Sequence, residues 1–247
     1  MLSKFIDKVN FKVKALEKRY AKNDFSRQLN DYKLLDHARR FSINDIDLLP
    51  MLHDATSTTQ FDAHYVYHPA WAARIVKKIN PDKHIDISST LHFCSQLSAF
   101  IPVEFYDYRP AELSLDNLTS GKADLINLPF ADESISSISC MHTIEHVGLG
   151  RYGDPLEPDA DLRAITELKR VVKKGGSLLL VTPIGRPRIQ FNAHRIYSFQ
   201  MINDLFGEFE LADFSLVKDN NEFLSPAPPA IVADQKYGCG CFWYIRK

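Results

Sequence analysis

The sequence predicts an α/β protein with a doubly wound, largely parallel sheet and a helical extension at its N-terminus. Apolar residues recur at helical spacing over residues 1–40, which indicates amphipathic helices. From about residue 70, short apolar runs typical of buried strands alternate with helical segments. The 247 residues, 45% of them hydrophobic, are enough for one such domain with an extension. We therefore expect a helical extension over 1–60 and an α/β domain over 61–247.

Four helices of the domain are predicted from apolar residues that return every three or four positions. Asn80-Pro81 ends the first of them. Basic residues followed by glycine, in Lys173-Lys174-Gly175-Gly176, end the third. The predicted helices are Trp71–Ile79, Leu91–Phe100, Leu162–Val172 and Phe199–Phe206.

The predicted strands are short and mostly apolar. Four come between the helices, and two more close the chain. They are His84–Ile87, Val103–Tyr106, Ile135–Met141, Ser177–Thr182, Glu208–Val217 and Cys239–Ile245. Between the last two lies a long loop, 219–236, which contains three prolines. Long loops of this kind often act as lids or substrate walls.

Charge and hydropathy exclude several classes of protein. The net charge of −1 gives no overall attraction to nucleic acid, so we expect no nucleic-acid partner. No apolar run reaches the roughly 18–20 residues of a membrane span, and no secretory signal is recognisable, so a cytoplasmic protein is expected. Residues 1–22 carry seven basic and two acidic residues. That segment either makes weak contact with an anionic membrane surface or packs on the domain or on a second subunit of a homodimer.

The sequence gives no reason to expect a metal site. The four cysteines, Cys94, Cys140, Cys239 and Cys241, suit reduced thiols. A zinc site at Cys239-Gly240-Cys241 requires two more ligands, and no second pair stands at matching spacing, so alternating thiols on a strand are expected. The order H-x-x-E-H at 142–146 is that of an inverted zinc-protease motif. That motif requires a helix, whereas this stretch leaves a strand and runs into Gly148.

Polar residues follow the predicted strands, where ligands bind in an open α/β sheet. Asp86, Ser88 and Ser89 follow the first strand. Asp107 comes about twenty residues later, where an acidic residue accepts hydrogen bonds from the ribose of an adenosine. Asp124 precedes an apolar Leu-Pro-Phe and suits the adenine amino group. The strand ends therefore predict a nucleotide-like cofactor.

Three segments carry a resemblance to a known superfamily. They read DLINLPFADESIS at 124–136, SCMHTIEHVG at 139–148 and ELKRVVKKGGSLLLVTP at 167–183. In order and content they resemble the class I S-adenosylmethionine-dependent methyltransferases, in particular the type 11-like branch. The resemblance implies a seven-stranded Rossmann-like sheet closed by an antiparallel hairpin, with S-adenosylmethionine as cofactor. The cofactor-binding residues it implies are Asp86, Ser88, Ser89, Asp107, Tyr108, Asp124, Leu125, Cys140 and His142.

Four further segments resemble a smaller family of unknown function within that superfamily. They are FDAHYVYH at 61–68, EFYDYRP at 104–110, EHVGLGRYGDP at 145–155 and FNAHRIYS at 191–198. This resemblance brings no reaction with it, so the chemistry has to be argued from the residues.

The turn after the first strand leaves two interpretations open. Methyltransferases of this superfamily usually carry D-x-G-x-G there, whereas this chain reads Asp86-Ile87-Ser88-Ser89-Thr90. Serine is small, and its hydroxyl suits the carboxylate of the cofactor. The other interpretation is a degenerate turn on a protein that has become a non-catalytic binding or scaffold subunit. The presence of Asp107 and Asp124 favours retained binding.

Histidines cluster at the strand ends, which favours proton transfer from a hydroxyl acceptor at neutral pH. His146, His194 and Glu145 are the candidate catalytic residues. Arginines near the glycine-rich loop suggest an anionic or sugar-like acceptor, although Arg–Asp pairs that merely fix the loop would explain them equally well. The resemblance suggests surface-polysaccharide synthesis as a setting. The candidate acceptor-binding residues are His64, Tyr67, His68, Arg151, Tyr152, Asn192 and Arg195.

Overall fold

The computed structural model describes residues 22–247, and the chain falls into two units, 1–60 and 61–247. In the first unit, residues 22–35 form helix α1, and Asp45–Asp47 form one 3-10 turn. The basic amphipathic segment predicted at the start of the chain lies almost wholly outside the described residues. Within residues 22–247, no helix is both long enough and apolar enough to cross a membrane.

The second unit is built around one mixed sheet. Its helices are α2 (Ala63–Ile79), α3 (Leu91–Leu97), α4 (Ala160–Val171) and α5 (Phe199–Leu205), with a 3-10 helix at Pro229–Asp234. Its strands are β1 (His84–Ile87), β2 (Val103–Asp107), β3 (Leu118–Lys122), β4 (Ile135–Met141), β5 (Val172–Ile184), β6 (Arg188–Gln190), β7 (His194–Ile196), β8 (Phe209–Val217), β9 (Phe223–Leu224) and β10 (Gly238–Arg246).

The strand order is β3-β2-β1-β4-β5-β10-β8-β9, and β6 pairs with β7 in a separate hairpin. Strands β1 to β5 run parallel, whereas β10 is antiparallel to both β5 and β8. The prediction of a mostly parallel sheet closed by an antiparallel hairpin is therefore confirmed. The seven-stranded sheet that the resemblance implies gains an eighth strand, because the two residues of β9 pair with the end of β8.

The sheet is covered on both faces, as the prediction of a doubly wound fold requires. Leu178 and Leu180 pack with the core beneath α4 and α5, whereas the alternating Leu179 and Val181 pack with the core beneath α2 and α3. All four side chains are fully buried. This double burial explains why β5 reads as a continuous apolar run instead of an alternating one.

Helix α2 begins eight residues before the predicted start at Trp71. Asp62 caps it, because its carboxylate accepts a hydrogen bond of 3.2 Å from the backbone N–H of Tyr65. His64 and His68 consequently lie on the first turns of this helix. The helix ends at Asn80, which adopts φ 49°.

Two other local predictions need correction. The polar strand β3 was not predicted, because its sequence, LTSGK, lacks an apolar run and lies at the edge of the sheet. The segment Lys173–Gly176 belongs to β5 and is not a turn after α4, which ends at Val171. Gly175 adopts φ +71° there. The pairing register between β4 and β5 shifts at this point, so the glycine permits a bulge in β5.

Candidate functional site

The turn after β1 contains a serine in a conformation that normally selects glycine. Ser88 has φ 57°, and its N–H donates a 2.8 Å hydrogen bond to the carbonyl oxygen of Tyr106. A left-handed conformation costs a non-glycine residue roughly 1–2 kcal/mol. Thr90 has a separate role as the N-cap of α3, since its hydroxyl accepts a hydrogen bond from Phe93 N–H. The turn therefore retains the backbone path of a glycine turn without its glycines.

Asp86 lies beneath this turn on the protein-interior side and is not exposed to a ligand-binding cleft. It is fully buried, and it accepts hydrogen bonds from the N–H of Ser89 at 3.0 Å and from the hydroxyl of Ser139. Burial raises the pKa of Asp86 to about 6. The predicted contact between Asp86 and a cofactor is therefore corrected to a positioning role. Ser89 also helps to hold the turn, because its hydroxyl accepts a 3.1 Å hydrogen bond from Met141 N–H, and it lines a cleft beside the turn.

His84 completes the buried network beside Asp86. Its Nε2 lies 2.8 Å from the Ser139 hydroxyl, and its Nδ1 lies 2.8 Å from the Ser137 hydroxyl. Because the one hydroxyl hydrogen of Ser139 is donated to Asp86, Nε2 of His84 must donate to Ser139 and Nδ1 must accept from Ser137. Burial lowers the pKa of His84 to about 3, so the ring is neutral.

A cleft at the carboxyl ends of β1, β2 and β4, here called the carboxylate cleft, contains two acidic side chains. Its empty volume, mouth included, is about 1000 Å³. Asp107 accepts a 2.7 Å hydrogen bond from Arg109 N–H through Oδ1, and Asp124 accepts a 3.2 Å bond from Ile126 N–H through Oδ1. Among the described residues, neither Oδ2 has a partner, so both remain available to a ligand. The lining also includes Ser88, Tyr108, Leu125, Ile126, His142, Thr143, His146, Tyr152 and Glu157.

A second cleft, here called the histidine cleft, opens beside the first. Its empty volume, mouth included, is about 1130 Å³. It is lined by Tyr65, Ser88, Ser89, Thr90, Met141, His142, Glu145, His146, Arg151, Tyr152, Asn192, Ala193, His194 and Tyr237. Ser88, His142, His146 and Tyr152 line both clefts. Ligands in the two clefts would therefore meet at these four residues.

The hydrogen bonds of His146 determine its tautomer. Its Nδ1 lies 2.6 Å from the carbonyl oxygen of Ala193, which can only accept, so Nδ1 carries the hydrogen. Nε2 then keeps its lone pair. His194 donates from Nε2 to the side-chain oxygen of Gln190 at 2.7 Å, and burial together with the charge of His146 lowers its pKa. Of the two predicted bases, His146 is the one whose Nδ1 is held by a backbone carbonyl group, which leaves Nε2 to act as the base.

The glycine-rich loop 147–155 is fixed by Asp154. Its carboxylate accepts hydrogen bonds from the N–H groups of Gly148 at 2.7 Å, Gly150 at 3.3 Å and Tyr152 at 3.1 Å. These N–H donors lower the pKa of Asp154 against the opposing effect of burial. Gly148 has φ +77°, and a Cβ there would collide with the carbonyl oxygen of Glu157. The loop is thus held through its backbone and not through Arg–Asp pairs.

Two guanidinium groups flank Tyr152 at the junction of the clefts. Arg109 lies 4.8 Å and Arg151 lies 5.1 Å from the centroid of its ring. Arg151 also donates a 3.1 Å hydrogen bond to the carbonyl oxygen of Ala193. Over residues 22–247, neither arginine has a carboxylate within ion-pair distance. Their charges therefore stay available to an anionic group.

Besides Asp86, five predicted site residues line neither cleft, namely His64, Tyr67, His68, Cys140 and Arg195. Arg195 is 5% exposed, donates to the carbonyl oxygens of Val147 and Pro158, and lies 3.6 Å from Asp161. It ties β7 to the loop and to α4, so the predicted acceptor contact is corrected to a structural one. Tyr67, stacked on Phe223, and the fully buried His68 also lie away from the predicted acceptor, and the fully buried Cys140 lies away from the predicted cofactor.

Tyr237 is a cleft residue that the sequence did not indicate. Its ring centroid lies 5.3 Å from that of His64 and 4.9 Å from that of His194. Burial, with a smaller effect of the Glu145 charge, raises the pKa of Tyr237 to about 12. A single tyrosine at the end of a long loop carries no local signal, and only the path of the loop brings it to the cleft. Tyr65, Arg109 and Thr143 also line the clefts and were not predicted, although each lies in a segment that supplied a predicted site residue.

A buried polar cluster lies behind the histidine cleft, and its His142 and Glu145 line the cleft. His142 Nδ1 lies 2.9 Å from Glu145 Oε1, and His142 Nε2 lies 3.4 Å from Cys239 Sγ. Burial lowers the pKa of His142, but the charges and hydrogen bonds of Cys239 and Glu145 together raise it. Burial raises the pKa of Cys239. His64 stacks on His142, and burial lowers its pKa to about 4. Glu145 is 1% exposed and orients His142, and its expected role as a catalytic group stays a prediction.

Comparison with known proteins gives one family and one curated relative. A family described as Caenorhabditis protein of unknown function, DUF268, matches residues 129–225. The uncharacterized protein MJ0638 of Methanocaldococcus jannaschii is 25% identical over 119 residues. The match covers 45% of this chain and 46% of that protein, so the similarity spans about half the length of the relative.

Solved structures match a larger part of the chain. The YcgJ protein of Bacillus subtilis is 14% identical, with a TM-score of 0.51, over 73% of this chain and 99% of that chain. A putative methyltransferase from Bacillus halodurans C-125 is also 14% identical, with a TM-score of 0.51, over 72% and 97%. A geranyl diphosphate methyltransferase solved in complex with SAM is 14% identical, with a TM-score of 0.50, over 72% and 85%. The second unit of this chain therefore has the class I methyltransferase fold.

Proposed function

We propose that the protein is an S-adenosylmethionine-dependent methyltransferase that acts on a hydroxyl group of a small anionic or sugar-like acceptor. The observation that carries this proposal is the junction of the two clefts. One contains a pair of carboxylates suited to an adenosine, and the other contains a histidine with a free ring nitrogen. His146 lines both, so a donor and an acceptor would meet beside it.

The carboxylate cleft offers the groups that an adenosine requires. Asp107, at the end of β2, would accept hydrogen bonds from the ribose hydroxyls, and Asp124 would accept one from the adenine amino group. Tyr108, Leu125 and Ile126 provide apolar surface for the base. Ser88 keeps the close-approach backbone of a glycine turn and places a hydroxyl near the cleft, where it would bind the carboxylate of the cofactor. The residues present thus fit the group.

When bound, S-adenosylmethionine supplies an electrophilic methyl group. Transfer to a hydroxyl forms a carbon–oxygen bond, breaks a carbon–sulfur bond and requires that the hydroxyl proton leave. His146 Nε2 would take this proton, because its Nδ1–H is held by the carbonyl oxygen of Ala193. His194 would supply a second polar contact in the same cleft. Positioning of the two reactants supplies the rest of the acceleration.

The charge of the junction supports an anionic acceptor. Arg109 and Arg151 flank Tyr152, and neither forms an ion pair with any described residue. A phosphate or carboxylate on the acceptor would pair with Arg151, and Asn192 would donate to a neighbouring oxygen. A sugar phosphate or an acidic sugar carries both an anionic group and neighbouring hydroxyl oxygens.

Isothermal titration calorimetry with S-adenosylmethionine and S-adenosylhomocysteine tests the proposal. We expect micromolar binding to the unaltered chain. Asp107→Ala should abolish it, and the exposed Asp116→Ala, which removes a carboxylate outside the cleft, should leave it unchanged. If folded protein gives no heat with either ligand, the cofactor assignment fails. The protein would then be a binding subunit that uses this fold without the cofactor.

A further inference from the structure

The buried cluster behind the histidine cleft contains three groups in the arrangement of metal ligands. His64, His142 and Cys239 each present one nitrogen or sulfur atom, and these three atoms all lie within 4.8 Å of one another. They come from α2, from the turn after β4 and from β10, so that no sequence motif links them. We propose that this cluster binds a transition-metal ion of the zinc class through His64, His142 and Cys239.

The spacing of the ligand atoms suits such an ion. His142 Nε2 and Cys239 Sγ are 3.4 Å apart. A tetrahedral zinc ion about 2.0–2.1 Å from nitrogen and about 2.3 Å from sulfur separates those two atoms by about 3.5 Å. The two imidazoles and the thiolate are also the ligand types that zinc, copper and iron prefer over magnesium or calcium.

The outer contacts of His142 have the arrangement typical of metal-binding histidines. Its Nδ1–H donates to Glu145 Oε1 at 2.9 Å, and the side chain of Glu145 is only 1% exposed. Carboxylate–histidine pairs of this kind fix the tautomer of the ligand and raise its basicity. Nε2 is consequently the nitrogen left for the metal, and it is the one that lies beside Cys239.

An unpartnered nitrogen lies beside the cluster, although it is not one of the three ligand atoms. His68 is fully buried, and its Nδ1 is engaged with the carbonyl oxygen of His64 at 2.7 Å. Its Nε2 has no hydrogen-bond partner among residues 22–247, although the ring centroid of His68 lies 5.1 Å from that of His142. A buried nitrogen lone pair without a partner is costly unless a ligand or water satisfies it.

Metal binding at this site would displace one proton. Without metal, the nitrogen of His142 and the sulfur of Cys239 share a single proton along their 3.4 Å contact. A divalent ion takes the place of that proton, forms bonds to both atoms and releases the proton to solvent. Three protein ligands are also the number that leaves a coordination position for water or substrate. Because His142 and Glu145 line the histidine cleft, an acceptor hydroxyl would have access to the metal from there.

The test uses the full chain, stripped with a chelator and titrated with Zn²⁺ and with Co²⁺. We expect one Zn²⁺ per chain, release of a proton in calorimetry with two buffers, and a thiolate-to-cobalt charge-transfer absorption. Cys239→Ser should lose that absorption, and both Cys239→Ser and His64→Gln should weaken binding by about 100-fold or more. Glu145→Gln, which changes the hydrogen bond that orients His142, should weaken Zn²⁺ binding roughly 10–100-fold. Cys94→Ala removes a buried thiol that offers no ligand atom, and it should bind like the unaltered chain.

Two results would overturn the site. One is the absence of a thiolate–cobalt absorption in the unaltered chain. The other is undiminished Zn²⁺ affinity in either ligand variant, since binding would then take place at other histidines. Near-ultraviolet circular dichroism establishes that each variant is folded. His64→Gln, at a half-buried position on α2, supplies the answer if Cys239→Ser does not fold. None of these readouts depends on S-adenosylmethionine.

Discussion

The Nδ1 atom of His146 lies 2.6 Å from the carbonyl oxygen of Ala193, so the backbone decides which ring nitrogen of His146 is free. His146→Gln should leave the affinity for S-adenosylmethionine unchanged and lower kcat by about 10²–10⁴-fold, the usual contribution of a general base. His92→Gln, at an exposed position on α3, is the matched control. Single-turnover kinetics and calorimetry separate the two effects. A fully active variant would move the base to His194.

The left-handed conformation of Ser88 can be tested by two substitutions at one position. Ser88→Gly relieves the backbone strain, whereas Ser88→Ala retains it and removes the hydroxyl. We expect the glycine variant to exceed the alanine variant in free energy of unfolding by about 1 kcal/mol, measured by urea denaturation. Equal free energies of unfolding for the two variants would show that the left-handed conformation at position 88 imposes no strain on a residue with a side chain.

Arg151 should govern affinity for an anionic acceptor. Arg151→Gln removes a charged donor, and a hydrogen bond to a charged group contributes about 1.5–3 kcal/mol. We expect KM for the sugar phosphates that serve as acceptors to rise roughly 10–100-fold, with little change for uncharged sugars. Arg74→Gln, an exposed arginine on α2, is the control. Equal effects on charged and uncharged acceptors would remove Arg151 from acceptor recognition.

Asp86 should make stability depend on pH. Its pKa is raised from 3.8 to about 6 in the folded state, so its protonated form favours folding. This contribution is complete below the ordinary pKa and is lost as the pH rises through 6. The unaltered chain should therefore lose on the order of 3 kcal/mol relative to Asp86→Asn between about pH 4 and pH 7.

Chemical denaturation of both proteins across this range measures the difference. The neighbouring His84 has its pKa lowered to about 3, so its contribution is lost as the pH falls from 6.5. That opposite trend is common to both proteins and cancels in the difference. A stability difference independent of pH would show that Asp86 does not titrate in this range.

Arg195 should be required for stability and not for acceptor binding. Arg195→Met leaves the Asp161 carboxylate, only 9% exposed, without its cation, 3.6 Å away. Removing one partner of a buried ion pair typically costs about 3–5 kcal/mol. We expect a loss of this size in urea denaturation, against less than about 0.5 kcal/mol for the more exposed Arg188→Met. A stable Arg195→Met variant with impaired acceptor binding would restore the original prediction.

The sequence by itself determined the class of fold and most of its elements. Buried strands such as β4 and β5 show their character locally, because burial on both faces requires continuous apolar runs. Asp107 and Asp124 were also predictable, since the carboxyl ends of parallel strands meet at one edge of the sheet. Strand β3 was not, because a polar edge strand has no apolar signature.

Only the tertiary structure decided which polar residues line the clefts. Asp86 and Arg195 look like ligand-binding residues in sequence, yet the structure buries both, and hydrogen bonds to their neighbours satisfy them. His64, His142 and Cys239 are separated by up to 175 positions, and they meet because β10 lies between β5 and β8 in the sheet. Local patterns record the periodicity of one element at a time. The approach of side chains from distant elements depends on how those elements pack, which no single segment encodes.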